Sequence, residues 1–64
     1  MKQYLIDFSN VSSKVQERVL NDISRIAFLE PEQVDDTKKY TFYLDKVDVS
    51  CLSIPSDCVV SVIG

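Results

Sequence analysis

Hydrophobic and polar positions follow a two-residue repeat near the ends of the chain and a 3.6-residue repeat between them. Tyr4, Ile6 and Phe8 take one side of the first repeat and Gln3, Leu5 and Asp7 the other, which predicts a strand over Lys2 to Phe8. From Ser13 the period changes. Val15, Val19, Leu20, Ile23, Ile26 and Ala27 sweep one continuous face, with Lys14, Glu17, Arg18, Asn21, Ser24 and Arg25 opposite. The pattern predicts an amphipathic helix over Ser13 to Leu29. Ser13 is its expected cap, Gln16 completes a capping box, and Ser12 is the rival cap. Pro31 ends the helix, because proline disfavours helical geometry at the residue before it.

Glu30 to Lys38 reads as a charged connection with a short helical turn from Pro31 to Asp35, since proline suits a first helical position. Alternation then returns over Lys39 to Leu44, where Tyr40, Phe42 and Leu44 share a face. A two-residue turn at Asp45-Lys46 would set Leu44 against Val47, Phe42 against Val49 and Tyr40 against Cys51, all on one side. The alternation slips between Cys51 and Ile54, as a bulge or break would make it do. Pro55-Ser56-Asp57 carries turn chemistry. Cys58 to Ile63 is almost continuously apolar, the pattern of a strand covered on both faces.

These elements predict an α+β fold in one small domain over residues 1–64. A single helix packs on a mainly antiparallel three- or four-stranded sheet, in the order β-α-β-β-β. The expected core is Tyr4, Ile6, Phe8, Val19, Ile23, Ile26, Phe42, Leu44 and Val49. A chain of 64 residues buries only about 60% of the surface it exposes when unfolded, so that core is small. With 45% hydrophobic and 27% charged residues the composition is globular rather than disordered.

Charge and apolar run length narrow the partners. The formal net charge is −3, and the seven basic residues are scattered, with Lys38-Lys39 the only adjacent pair. Nucleic-acid binding needs clustered Lys and Arg, so no nucleic-acid partner is expected. No apolar run approaches the roughly 20 residues of a membrane span, and Met1 to Tyr4 does not lead into a signal-peptide core. The expected location is the cytoplasm, without membrane contact.

The chemistry-bearing residues are sparse. There is no histidine, and the one glycine is Gly64, the last residue. Phosphate-cradling loops and dinucleotide fingerprints need internal glycines where backbone approaches phosphate, so neither is present. A hairpin turning at Pro55–Asp57 sets Cys51 opposite Ser61, leaving the two sulfurs roughly 10 Å apart, too far for a disulfide. Two cysteines without histidine do not complete a tetrahedral zinc site unless carboxylates or a second chain contribute, and no imidazole stands ready to activate a thiol. Two reduced, mostly buried thiols are expected. No catalytic residue, metal or cofactor is assigned.

Three features offer a binding surface, each with a simpler reading beside it. Glu30, Glu32, Asp35 and Asp36 crowd one connection without the offsets or central glycine of a calcium loop. They form either a solvated loop or an acidic patch facing a partner. Phe28 projects from the polar face if the helix reaches Leu29, where it would be an aromatic anchor. If the helix unwinds near Ala27 instead, Phe28 folds into the core. Finally, one helix covers one side of a sheet, which would leave Leu5, Tyr43 and Val60, with Leu52 or Val62, on an open apolar face of the kind that marks protein contacts.

The function expected from these surfaces is non-enzymatic protein binding by steric occlusion, as in a small inhibitor or antitoxin-like blocker. Leu5, Phe28, Glu30, Glu32, Asp35, Asp36, Tyr43 and Val60 would be its contact residues, and the partner another protein, a second copy of the chain, or both. The alternative is a homo-oligomeric regulatory domain that binds a small ligand at a subunit interface.

Overall fold

The computed structural model describes residues 1–64. One helix, α1 (Ser13–Ile26), packs against a four-stranded antiparallel sheet formed by β1 (Lys2–Asp7), β2 (Glu32–Gln33), β3 (Lys39–Leu44) and β4 (Val59–Val62). The strand order is β2-β3-β1-β4, so the first strand of the chain lies inside the sheet. It pairs with β3 from Lys2↔Leu44 to Asp7↔Lys39, and with β4 from Tyr4↔Val62 to Asp7↔Val59. The fold is α+β, in the expected order β-α-β-β-β.

Two of the strands differ from the pattern-based expectation. Val47 to Cys51 does not fold back on β3. The edge it would have occupied belongs to β1, and Val49–Cys51 forms a single turn of 3-10 helix. Tyr40 lies opposite Ile6, not Cys51, and Phe42 lies opposite Tyr4, not Val49. The count of strands is kept by β2, which forms where a helical turn is expected. Glu32 pairs with Thr41 and Gln33 with Tyr40. Nor does a hairpin set Cys51 opposite Ser61: the chain turns at Pro55, whose carbonyl accepts the Cys58 N–H at 3.0 Å, and β4 joins β1 alone, with Ser61 opposite Leu5. Local alternation is compatible with any antiparallel neighbour in phase. Here the N-terminal strand outcompetes the nearer hairpin.

The helix starts at Ser13 as its sequence pattern suggests, but it is capped by the residue before and ends three residues sooner. Ser12 is the cap: its Oγ accepts the Val15 N–H at 3.4 Å. With the cap there, Gln16 lies one position too late for a capping box, and its Nε2 donates instead to the Tyr40 hydroxyl at 3.4 Å. At the other end Ala27 is already extended (φ −71°, ψ 148°) while its N–H still donates to Ile23. The next N–H, that of Phe28, donates to the Tyr43 carbonyl at 2.9 Å. Capture by the β3 edge therefore ends the helix before Pro31 is reached.

The core is the layer between α1 and the sheet. Tyr4, Ile6, Phe8, Val19, Ile23, Phe42, Leu44 and Cys58 are buried, and Ile26 and Val49 pack against them half-exposed. Cross-strand partners Tyr4 and Phe42 stack with ring centroids 5.4 Å apart, and Phe8 and Tyr40 meet edge to face with centroids 5.7 Å apart. Such pairs add about 0.5–1.5 kcal/mol beyond the area they bury. No disulfide supplements them.

Total stability at this length is roughly 3–10 kcal/mol, scaling the usual per-residue range. Phe42→Ala costs about 3–5 kcal/mol through the lost contacts and the cavity left behind. Circular dichroism during urea titration will show Phe42→Ala largely unfolded or with its midpoint sharply lowered. Ser12→Ala will lower stability by about 0.5–1 kcal/mol, the low end for a cap because its bond is long, and Ser13→Ala by less. Equal losses for the two serines would contradict the assigned cap.

Candidate protein-binding surface

The segment joining α1 to β3 is built by backbone bonds along the outer edge of β3. After the Phe28 N–H closes on Tyr43, β2 pairs with Thr41 and Tyr40, and the Val34 N–H reaches the Lys39 carbonyl at 2.8 Å. Asp35 turns the chain with a positive φ of 50°, a left-handed conformation that aspartate tolerates better than most residues. Thr37 Oγ1 donates to the Val34 carbonyl and accepts the Lys39 N–H, while Gln33 Nε2 donates to the Thr37 carbonyl at 2.8 Å. The acidic connection is thus a tied hairpin. Its Asp35-Asp36 pair is the sequence signal for the turn that the helical reading passed over.

Phe28 and Leu29 stand at the start of this edge, 60% and 58% exposed. The helix does end near Ala27, yet Phe28 does not fold into the core as that reading expected. Its N–H is committed to the Tyr43 carbonyl at the outer edge of β3. Glu30, Glu32, Asp35 and Asp36 are all exposed along the same connection. No three histidine, cysteine or carboxylate groups converge closely enough to hold a metal ion. Glu30 and Glu32 follow the Phe28–Leu29 pair along this edge, whereas Asp35 and Asp36 lie at the hairpin tip by Lys39.

The open face of the sheet is more polar than expected. By register it presents Gln3, Leu5 and Asp7 of β1, Lys39, Thr41 and Tyr43 of β3, and Val59 and Ser61 of β4. Leu5 lies between Thr41 and Ser61, and Tyr43 opposite Gln3, so neither extends into a broad apolar patch. Val60 is not on this face. It pairs with Ile6 and packs half-buried against the core, as does Leu52; Val62, opposite Tyr4, shares the side of Val60 but is exposed. Placing these residues requires knowing that β4 joins β1, and nothing local to β4 encodes that.

Three exposed apolar residues are not marked by the sequence pattern. Leu29 is exposed because the helix stops short of it. Val59 and Ile63 are exposed because β4 lies at the sheet edge and is not covered on both faces. Two shallow clefts of about 290 and 160 Å³ flank the sheet, one at Met1, Lys2 and Leu44 to Asp48, the other between Leu20, Asn21 and Ser24 of the helix and Glu30, Pro31 and Tyr40. The larger is at the lower limit of the roughly 300–1,000 Å³ typical of small-ligand pockets and the smaller is well below it. Comparison with family models, with curated proteins and with solved structures found no match to this chain.

The two thiols differ in environment. Cys51 is exposed on the 3-10 turn, contrary to the expectation of burial, and Cys58 is buried, with no bridge between them. Burial pushes the Cys58 thiol up from its ordinary range, with the Asp57 charge adding to the effect. The thiolate is the reactive form, so a thiol reagent will modify Cys51 promptly and Cys58 only as β4 opens. Equal rates for Cys51→Ser and Cys58→Ser variants would contradict the structure.

Asp7, at the end of β1, accepts bonds from the Ser9 hydroxyl and from the Ser9 N–H at 2.9 Å. These bonds, hydroxyl first, hold its carboxyl below the usual carboxylate range, and the Lys39 charge adds to them. A depressed folded value means that the stabilisation is complete above the unfolded pKa of about 3.9 and is lost as pH falls through the folded one. Ser9→Ala will raise the Asp7 titration midpoint in a carboxyl NMR titration. An unmoved midpoint would contradict the assigned bonds.

Proposed function

We propose that this chain is a non-enzymatic protein-binding module that works by steric occlusion, in the manner of a small inhibitor or antitoxin-like blocker. The observation that carries this reading is the exposed Phe28–Leu29 pair, pinned to the β3 edge by the Phe28–Tyr43 backbone bond and bordered by Glu30 and Glu32. A large aromatic held on fixed backbone supplies apolar contact area with little conformational entropy left to lose. The acidic border contributes encounter rate and partner choice more than affinity. The complementary partner is a protein with an apolar pocket and a basic rim. Tyr43 and Leu5 continue the contact onto the polar open face, and Asp35 and Asp36 extend it at the hairpin tip. The unbridged cysteines suit a reducing compartment such as the cytoplasm.

The test uses a partner captured by photo-crosslinking from a residue beside the pair, then purified and titrated. Phe28→Ser with Leu29→Ser will weaken binding at least 30-fold, matching about 2 kcal/mol for a hot spot, with the thermal midpoint of the free protein little changed. Glu30→Gln with Glu32→Gln will slow association and flatten its salt dependence. Unchanged affinity in the double serine variant would overturn this reading.

A further inference from the structure

The two edges of the sheet are unlike each other, and the difference identifies a second binding surface. The β2 edge is guarded: it is two residues long, follows Pro31 and carries Glu32 among Glu30, Asp35 and Asp36. Short length, proline and charge are the devices by which folded proteins prevent strand addition. The β4 edge has no such charge or proline. Val59, Val60, Ser61, Val62 and Ile63 are all uncharged, four of the five are β-branched and apolar, and Val59, Val62 and Ile63 are 59%, 59% and 50% exposed.

The ladder shows which backbone groups this edge offers. The Ile63 N–H donates to the Gln3 carbonyl at 2.9 Å. Bonded and non-bonded pairs alternate in an antiparallel ladder, so Leu5–Ser61 and Asp7–Val59 are the other bonded pairs with β1. The N–H and C=O groups of Val60 and Val62 therefore point away from the sheet. No loop backbone group and no side chain bonds to them. Beyond them the Gly64 N–H also reaches the Gln3 carbonyl and the Gly64 carbonyl accepts the Gln3 N–H, a two-against-one bulge that ends the regular edge.

We propose that β4 pairs with β4 of a second copy about a two-fold axis at Ser61, joining two sheets into one of eight strands. In that register Val60 and Val62 each exchange both backbone bonds with the other copy's Val62 and Val60. All four outward groups of each chain are then satisfied. Val59 faces Ile63 of the second copy, Ser61 faces Ser61, and each exposed apolar side chain of the strand gains an apolar neighbour. The occupant is a second copy because the strand is self-complementary in this register, and because it is the uncharged edge of a chain with net charge −3. Pairing through β4 sets no like charges opposite one another, whereas pairing through β2 would oppose carboxylates. Strand addition of this length is far smaller than the 20–30 residues a side of a standard stable interface, so the dimer is weak and dissociates on dilution. It leaves Phe28 and Leu29 free at the far edges, one pair on each copy, so it is independent of the function proposed above.

Light scattering and sedimentation across a dilution series, with two disulfide-trapping variants, test both the pairing and its register. The wild-type mass will climb from 7.3 kDa toward twice that value with concentration, and Ser61→Lys will remain at the monomer mass with an unchanged circular dichroism spectrum. In a Cys51→Ser background, Ser61→Cys will oxidise to a covalent dimer, because the two positions face each other at a closely spaced pair. Val59→Cys in the same background will not, because its counterpart lies four residues away. A wild-type chain monomeric throughout would overturn the proposal, as would a dimer untouched by Ser61→Lys, equal cross-linking of the two cysteine variants, or growth beyond two copies.

Discussion

The hydrogen-bonded ladders on both sides of β1 hold the fold together, and the remaining elements are placed by them. The β3 ladder stacks Tyr4 on Phe42 and brings Phe8 to Tyr40, giving α1 a floor on which Val19 and Ile23 close the core. The β4 ladder carries Cys58 into that same core. Both ladders join residues far apart in sequence, so their closure entropy must be met by the few side chains they bury. In so small a core, each large apolar residue is a sizeable fraction of the total stability.

Side-chain periodicity made the composition of that core legible. Tyr4, Ile6, Phe8, Val19, Ile23, Phe42 and Leu44 are marked by a two-residue or a 3.6-residue repeat, and all seven are buried. Partner choice was not legible. The repeat in β3 fits a local hairpin with Val47 to Cys51 as well as it fits β1, and only the tertiary competition decides between them. Val60 shows the consequence: its position on the open face or the core face depends on which strand β4 joins and in what register, and a slip of one residue reverses it. The helix end was blurred for a related reason. Pro31 is a visible stop, but the operative stop is a backbone bond to a strand 15 residues further along.

The surface is organised by the same topology. Helix α1 occupies one face of the sheet, and the other is interrupted by Gln3, Asp7, Lys39 and Thr41. Exposed apolar residues are consequently concentrated at the margins. At the β3 margin Phe28 and Leu29 lie beside carboxylates, which suits a foreign partner with a basic rim. At the β4 margin the residues are uncharged and the backbone groups alternate in direction, which suits a strand of the same kind. A dimer joined through β4 would carry two Phe28–Leu29 sites at opposite ends, a bivalent arrangement that raises avidity for a partner that is itself paired.

The central structural claim is that β1 is an interior strand and β4 an open edge bonded on one side only. Amide hydrogen exchange, followed residue by residue by NMR at high dilution, reads this directly. The structure predicts an alternating pattern in β4, with Val59 and Ser61 protected by β1 while Val60 and Val62 exchange at the rate of solvent-exposed amides. Equal protection at all four positions under those conditions, or rapid exchange at Ser61, would contradict the account.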